Sequence, residues 1–354
     1  MFVRFLTWAL DAAERSMNVR EMHSSYISLA GALVIAVSCR APVSELPATG
    51  PEADIAILAS RAFLGRRAGT PGDDSAAAFL VRRFTELHLR PAFHAGCDTE
   101  ARCGKSYLQD FPFQKTVGQN VGAIIDGTDS TLRAEFFVIG AHFDGQSLDH
   151  VADPQHGHVM RPGADDNASG TAGVLELARR FVKRPIHRSV LVVGFDAEEE
   201  GLCGSRAFVA DPPVSDSAIT LMLNLDMIGH LRGKQILVEG LTDRAGSRLS
   251  VDRAALTVGL RPDFIADREL SDHVSFRDRG IAVVSLSTGD NPDYHTTDDV
   301  ASHVNADGVN RVIDFAEAII RDWDATSPST ANAARSRVRT NSPQRRPESL
   351  SCGV

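Results

Sequence analysis

Two adjacent carboxylates, Asp165 and Asp166, stand in the stretch Arg161 to Gly170, just before a segment where Val174, Leu175, Leu177, Ala178, Phe181 and Val182 recur at helical spacing. Asn167 and Ser169 are suitable caps, so the acidic pair lies at a helix N-terminus, where negative charge is tolerated well. Such a loop reads as a metal-binding turn or, more plainly, as a capped surface turn of ordinary turn formers. Four other places supply compatible groups. His142-Phe143-Asp144 follows the apolar run Phe136 to Ala141; Asp196-Ala197-Glu198-Glu199-Glu200 follows Val190 to Phe195; Asp226 follows Leu221 to Leu225; and His295 lies beyond Ile281 to Leu286. Each alone is commonplace, since a lone His after a strand is usually structural and a Glu run before a helix favours its dipole. Together, one His, one loop Asp, one Glu of a pair, one strand-end Asp and a second His make a nitrogen and carboxylate set suited to zinc.

The elements that must position these groups alternate along the chain. Strands are expected at Asn120 to Ile125, Phe136 to Ala141, Val190 to Phe195, Leu221 to Leu225, Ile236 to Val238 and Ile281 to Leu286. The first two, separated by Asp126-Gly127-Thr128-Asp129, read as a hairpin or adjacent strands. Helices are expected at 76–89, 168–183, about 205–211, 246–258 and 305–323. Strands apolar on both faces, alternating with helices, predict an α/β fold with a mainly parallel central sheet flanked by helices on both faces. In such a sheet ligands collect beyond the carboxyl ends of the strands, where the acidic and imidazole groups fall. The stripe Val309, Val312, Ile313, Ala316, Ile319, Ile320 and Trp323 closes the fold.

The 354-residue chain carries 37 Lys and Arg against 46 Asp and Glu, a formal net charge of -9, which argues against nucleic-acid binding. Residues 1–39 read as a targeting segment, with Arg15 and Arg20 ahead of the apolar run Tyr26 to Ser38. That run is short for a membrane span and suits a signal peptide. Ala36-Val37-Ser38-Cys39 resembles a lipobox, so export to the periplasm or cell envelope as a lipoprotein, or secretion, is expected, with membrane contact only through that lipid. Residues 40–52 read as a tether, 53–325 as one domain and 326–354, rich in Ser, Pro, Asn and Arg, as a disordered tail. Cys97 and Cys103 flank a polar loop that a disulfide could close, and Cys203 and Cys352 are expected unpaired.

Six segments, in order, resemble the zinc aminopeptidases of family 28 of the metallopeptidases. They are Gly140 to Asp144, Gly163 to Gly170, Ala197 to Ser205, Asn224 to Gly229, Ser271 to Phe276 and Tyr294 to Asp299. The resemblance spans roughly 60–323 and implies a zinc exopeptidase-like α/β/α sandwich, related to phosphorylase/hydrolase-like folds, that cleaves the N-terminal bond of a peptide. It further implies two zinc ions bridged by Asp165, one also held by His142 and Asp226 and the other by Glu199 and His295. Glu198 would be the general base and Asp144 the carboxylate orienting His142. Asp272 and His273 would lie near the cleft, touching substrate or supporting their loop, and Tyr294 would be a cleft wall or an oxyanion donor. A single-zinc glutaminyl cyclase-like acyltransferase and a metal-free receptor-like relative are the competing functions. The intact Glu198-Glu199 pair and ligand positions disfavour the receptor.

Overall fold

The computed structural model describes residues 50–95, 104–153, 157–241, 247–326 and Cys352. The expected targeting segment, nearly all of the tether, Cys97, Cys103 and the tail apart from Cys352 lie outside the described residues. The helices are α1 Pro51–Leu58, α2 Pro71–Glu86, α3 Gly170–Lys183, α4 Cys203–Ala210, α5 Ser247–Val258, α6 His273–Asp278 and α7 Ala306–Thr326. The strands are β1 Arg90–Pro91, β2 Phe93–Ala95, β3 Gly104–Ser106, β4 Leu108–Phe113, β5 Thr116–Ile125, β6 Phe136–His142, β7 Leu148–Asp153, β8 Gly157–Val159, β9 Ser189–Phe195, β10 Ile219–Leu225, β11 Gln235–Glu239, β12 Arg261–Phe264 and β13 Val283–Ser287.

Nine of these strands form one sheet in the order β1-β5-β9-β6-β10-β13-β11-β12, with β4 also paired to β5. The expected mainly parallel sheet is a mixed one. Its centre, β9-β6-β10-β13, is parallel, while β5 and β11 join that centre antiparallel on its two sides. β5 and β6 are not neighbours, as a hairpin would require, because β9 lies between them. The seven residues of β9 are all buried, and a strand buried on both faces gains most with a partner on each edge.

Alternate residues of the central strands feed two cores. Phe137, Ile139 and Ala141 of β6 and Val190 and Val192 of β9 join the larger core, with α1, α2, α3, α5 and α7. Val138 of β6 and Leu191, Val193 and Phe195 of β9 join the smaller one, which includes Phe208 of α4 and Phe276 of α6. The sheet is therefore covered on both faces, giving the three-layer α/β/α arrangement. α3 is amphipathic, with Val174, Leu175, Leu177, Ala178 and Phe181 buried. α2 begins at Pro71, five residues earlier than its apolar stripe suggested, because proline is favoured in the first helical turn.

Cys203 and Cys352 form a disulfide, with Cα atoms 5.6 Å apart, which corrects the expectation that both are unpaired. The carbonyl of Cys352 also accepts a hydrogen bond from Gln114 N–H. No sequence spacing could announce a pair separated by 149 residues.

Leu223, in the middle of β10, is fully buried in the larger core. Leu223→Ala is expected to cost about 2–5 kcal/mol in urea unfolding through the cavity it leaves.

Candidate metal centre

The parallel strands end on one side of the sheet, and their ends carry the polar groups. His142 is the last residue of β6; Glu198 and Glu199 lie three and four residues past β9; Asp226 directly follows β10; His295 lies in the loop after β13. Three of these turns pass through a non-glycine residue in the left-handed region, Ala197, Met227 and His295. Each costs about 1–2 kcal/mol, a price typical of chain held in place for function.

The structure brings His142, Glu198, Glu199, Asp226 and His295 into one cavity, together with Asp166. The expected bridge, Asp165, is elsewhere. Its carboxylate is fully buried beneath the loop and accepts hydrogen bonds from Gly229 N–H at 2.6 Å, Asn291 Nδ2 at 2.8 Å and Ser169 Oγ at 3.2 Å. A Cβ on Gly229 would come within 2.6 Å of Asp165 Oδ1, so the approach depends on glycine there. Asp166 is the residue placed between the two imidazoles. Its Oδ1 lies 3.3 Å from His142 Nε2 and its Oδ2 lies 2.8 Å from His295 Nε2. Adjacent aspartates are indistinguishable by type, and the backbone decides between them. Asp166 leaves helical geometry, at φ -107° and ψ 93°, and this turns its side chain away from that of Asp165.

The remaining separations fit shared cations better than hydrogen bonds. His142 Nε2 is 3.5 Å from Asp226 Oδ1, and His295 Nε2 is 3.3 Å from Glu199 Oε2. Tetrahedral ligands about 2.1 Å from one ion stand about 3.4 Å from each other. Asp226 Oδ1, Glu199 Oε1 and His295 Nε2 are buried with no properly formed hydrogen bond in the protein, a costly state that cation coordination relieves. Among the described residues ligand-reaching atoms cluster in three sets: His142-Asp166-Glu199 and His142-Glu198-Asp226, which overlap, and a separate Glu239-Asp267-His273. The two overlapping sets share His142, and the residues present fit divalent-cation binding.

The electrostatics point the same way. Although burial opposes it, the Glu198, Asp144, Asp166 and Asp226 carboxylates raise His142 well above its usual pKa. His295, against the same opposition, is pushed up to about 9 by Asp166 and Glu199. Burial pushes Glu198 well above the carboxylate range, with Glu199, Asp226 and Asp272 adding to the effect and His142 countering it. The pocket holds more negative charge than its imidazoles offset, and positive ions would relieve it.

Asp144 lies 3.4 Å from His142 Nδ1 and accepts the N–H groups of Glu198 and Glu199 at 3.1 and 3.3 Å, so one carboxylate ties down the turn that carries both glutamates. Asp272 is fully buried, both its oxygens lack a hydrogen bond, and burial pushes its carboxyl up to about 7. His273 bonds Asp267 at 3.1 Å and lines the cavity. Tyr294 stacks on His295 with ring centres 3.7 Å apart and stays 41% exposed at the cavity wall. Burial and the carboxylates of Asp166 and Glu199 push its phenol up, which keeps it a hydrogen-bond donor.

Two supporting residues were not singled out from the sequence. Asp299 accepts the N–H groups of Asp165 and Asp166 at 2.7 and 3.0 Å and so holds the loop open. Arg66, fully buried, donates to the carbonyls of Phe143, Leu58, Pro162 and Gly163 at 2.7–2.8 Å, tying the loop after β6 to the Asp166 loop. Asp299 ends a segment already marked by Tyr294 and His295, so its signal was present. Arg66, in Gly65-Arg66-Arg67, carries none that separates it from its neighbour.

Asp166→Asn is expected to remove at least half of the zinc retained after dialysis. Asp165→Asn should keep the zinc and cost about 1–3 kcal/mol of stability through its buried hydrogen bonds. Elemental analysis paired with denaturant unfolding checks both. Arg66→Met should lower stability by at least about 3 kcal/mol in the same unfolding assay, because buried carbonyls lose their donor.

Comparison with known proteins follows the same line. Residues 120–320 match the model of peptidase family M28. The aminopeptidase YwaD of Bacillus subtilis is 30% identical over 171 residues, covering 45% of this chain and 37% of that protein. Leucine aminopeptidase 1 of Arthroderma otae is 30% identical over 211 residues, covering 53% of each. The chain spans about half or less of the length of these relatives. Among solved structures, a Zn-dependent exopeptidase from Parabacteroides distasonis superposes with a TM-score of 0.61 at 19% identity, covering 79% of this chain and 99% of that one, a likeness of fold. With the family model covering more than half of the residues, the chain belongs to peptidase family M28.

Proposed function

We propose that the protein is a zinc-dependent aminopeptidase that hydrolyses the N-terminal bond of peptides. The observation that carries the reading is the Asp166 carboxylate, whose two oxygens face His142 and His295 separately, beside a Glu198 that faces the same cavity. The names of the relatives, aminopeptidase YwaD and leucine aminopeptidase 1, support the same reaction class. In this reading His142, Asp226 and Asp166 would hold one zinc ion, and Glu199 and His295, with Asp166, would hold a second. The chemistry that such a pair supplies when bound is polarisation of the scissile carbonyl and a lowered pKa for water.

The chain's own groups handle the protons. Glu198 accepts a proton from the attacking water as the new C–O bond forms, then delivers it to the leaving amine as the C–N bond breaks. Its backbone N–H is pinned by Asp144, which fixes the turn that presents it to the cavity. The Tyr294 O–H, kept protonated, donates to the oxygen that gains charge in the transition state. The two-sided pairing of Asp166 favours two ions over the single ion of the cyclase reading, and the complete donor set disfavours a receptor without metal.

Glu198→Gln is expected to lower turnover of an aminoacyl anilide by at least about 100-fold while zinc content stays at the wild-type level, since only the proton carrier is lost. Activity within a few-fold of wild type in the zinc-loaded variant would reject the role.

A further inference from the structure

The cavity of about 320 Å³ that contains the candidate ligands runs on past them, between the ends of β13 and β11. Strand register explains what stands there. Asn224 pairs with Ser285, and Ser285 stands opposite Glu239, so the line from β10 across β13 to β11 presents one face. Neighbouring strands are about 4.8 Å apart, which puts Glu239 two spacings, ~10 Å, from the Asp226 end of β10. The far floor is buried and polar, with Ser285 at 4%, Glu239 at 5% and Ser287 at 6% exposure.

These groups do not all offer themselves to a ligand. Arg268 donates its backbone N–H to Glu239 Oε2 at 2.9 Å, and its Nε and Nη2 to Oε1 at 3.0 and 2.8 Å. Glu239 is thereby spent on fixing the guanidinium, whose Nη1 reaches only the exposed Asp290 at 3.4 Å. Ser285 Oγ already accepts from Asn224 Nδ2 at 3.3 Å, and Ser287 Oγ accepts from Gly289 N–H at 3.1 Å. The hydroxyl protons of both serines remain to be donated. The floor therefore presents N–H and O–H donors, whereas a leucine side chain would strand them without partners at a cost that discriminates strongly against it.

We propose that this end of the cleft is a subsite for a side chain that ends in an acceptor oxygen, so that the preferred N-terminal residue is glutamine or glutamate, anchored by Arg268, Ser285 and Ser287. The inference rests on the aminopeptidase reading, because only a peptide whose first residue lies beside the candidate ligands sends that residue's side chain into this part of the cavity. The terminal carbonyl oxygen is common to the carboxamide and the carboxylate, and the two are separated by the test.

The test uses the zinc-loaded full chain with glutaminyl, glutamyl, leucyl and alanyl anilides, and calorimetry with free L-glutamine, L-glutamate and L-leucine. Glutamine or glutamate is expected to exceed leucine at least tenfold in kcat/KM and in affinity, and the better of the two identifies the natural terminus. Arg268→Met and Ser287→Val should each shift the ratio at least tenfold toward leucine. If Arg268→Met does not fold, the Ser287→Val ratio decides. Leucine equal or preferred, or ratios unmoved in the folded variants, overturns the subsite. Cleavage of every anilide with leucine preferred would sink the subsite and leave the peptidase reading standing. Selective binding of glutamine or glutamate with no anilide cleaved would do the reverse.

Discussion

Mutual repulsion among buried carboxylates is the constraint around which this molecule is arranged. Asp144, Asp166, Glu198 and Asp272 are all nearly or fully inaccessible, and they converge on one imidazole, His142. Two like charges 4 Å apart repel by about 4 kcal/mol at an effective dielectric of 20. A chain that gathers several such charges needs compensation, and the unpaired Asp226 Oδ1 beside His142 and the unpaired Glu199 Oε1 mark where positive charge would sit. Arg66 supplies fixed positive charge behind the loop, where its electrostatic neighbours include Asp299, Asp144, Asp166 and Glu199.

The sheet serves that requirement by topology. Four parallel strands bring their carboxyl ends to one side, so residues scattered over more than 150 positions of sequence, from His142 to His295, meet without long excursions. The antiparallel strands at either side change the look of the sheet and leave this centre intact. β11 adds something of its own, since it carries Glu239 into the far end of the same cavity and extends the cleft beyond the candidate ligands.

Much of this was legible in the sequence, and the unread part has physical causes. The runs Phe136 to Ala141, Val190 to Phe195 and Leu221 to Leu225 announce themselves because both faces are buried, and polar groups that follow such runs fall at strand ends. Strand order is another matter: that β9 separates β5 from β6 is set by pairing across the sheet, which leaves no local mark. The choice between Asp165 and Asp166 is likewise a matter of backbone angles at one residue, and two identical side chains in succession conceal it. Arg66 and the Cys203–Cys352 pair act across long sequence separations, and nothing beside them in the chain points to their partners.

In the proposed mechanism one carboxylate, that of Asp166, is shared by two cations. Crystals of the zinc-loaded protein measured on both sides of the zinc absorption edge test it directly. Two anomalous peaks about 3.5–4 Å apart, with Asp166 between them, His142 and Asp226 on one and Glu199 and His295 on the other, are the expected result. A single peak, or a pair bridged by Asp165 with Asp166 turned away, would contradict it.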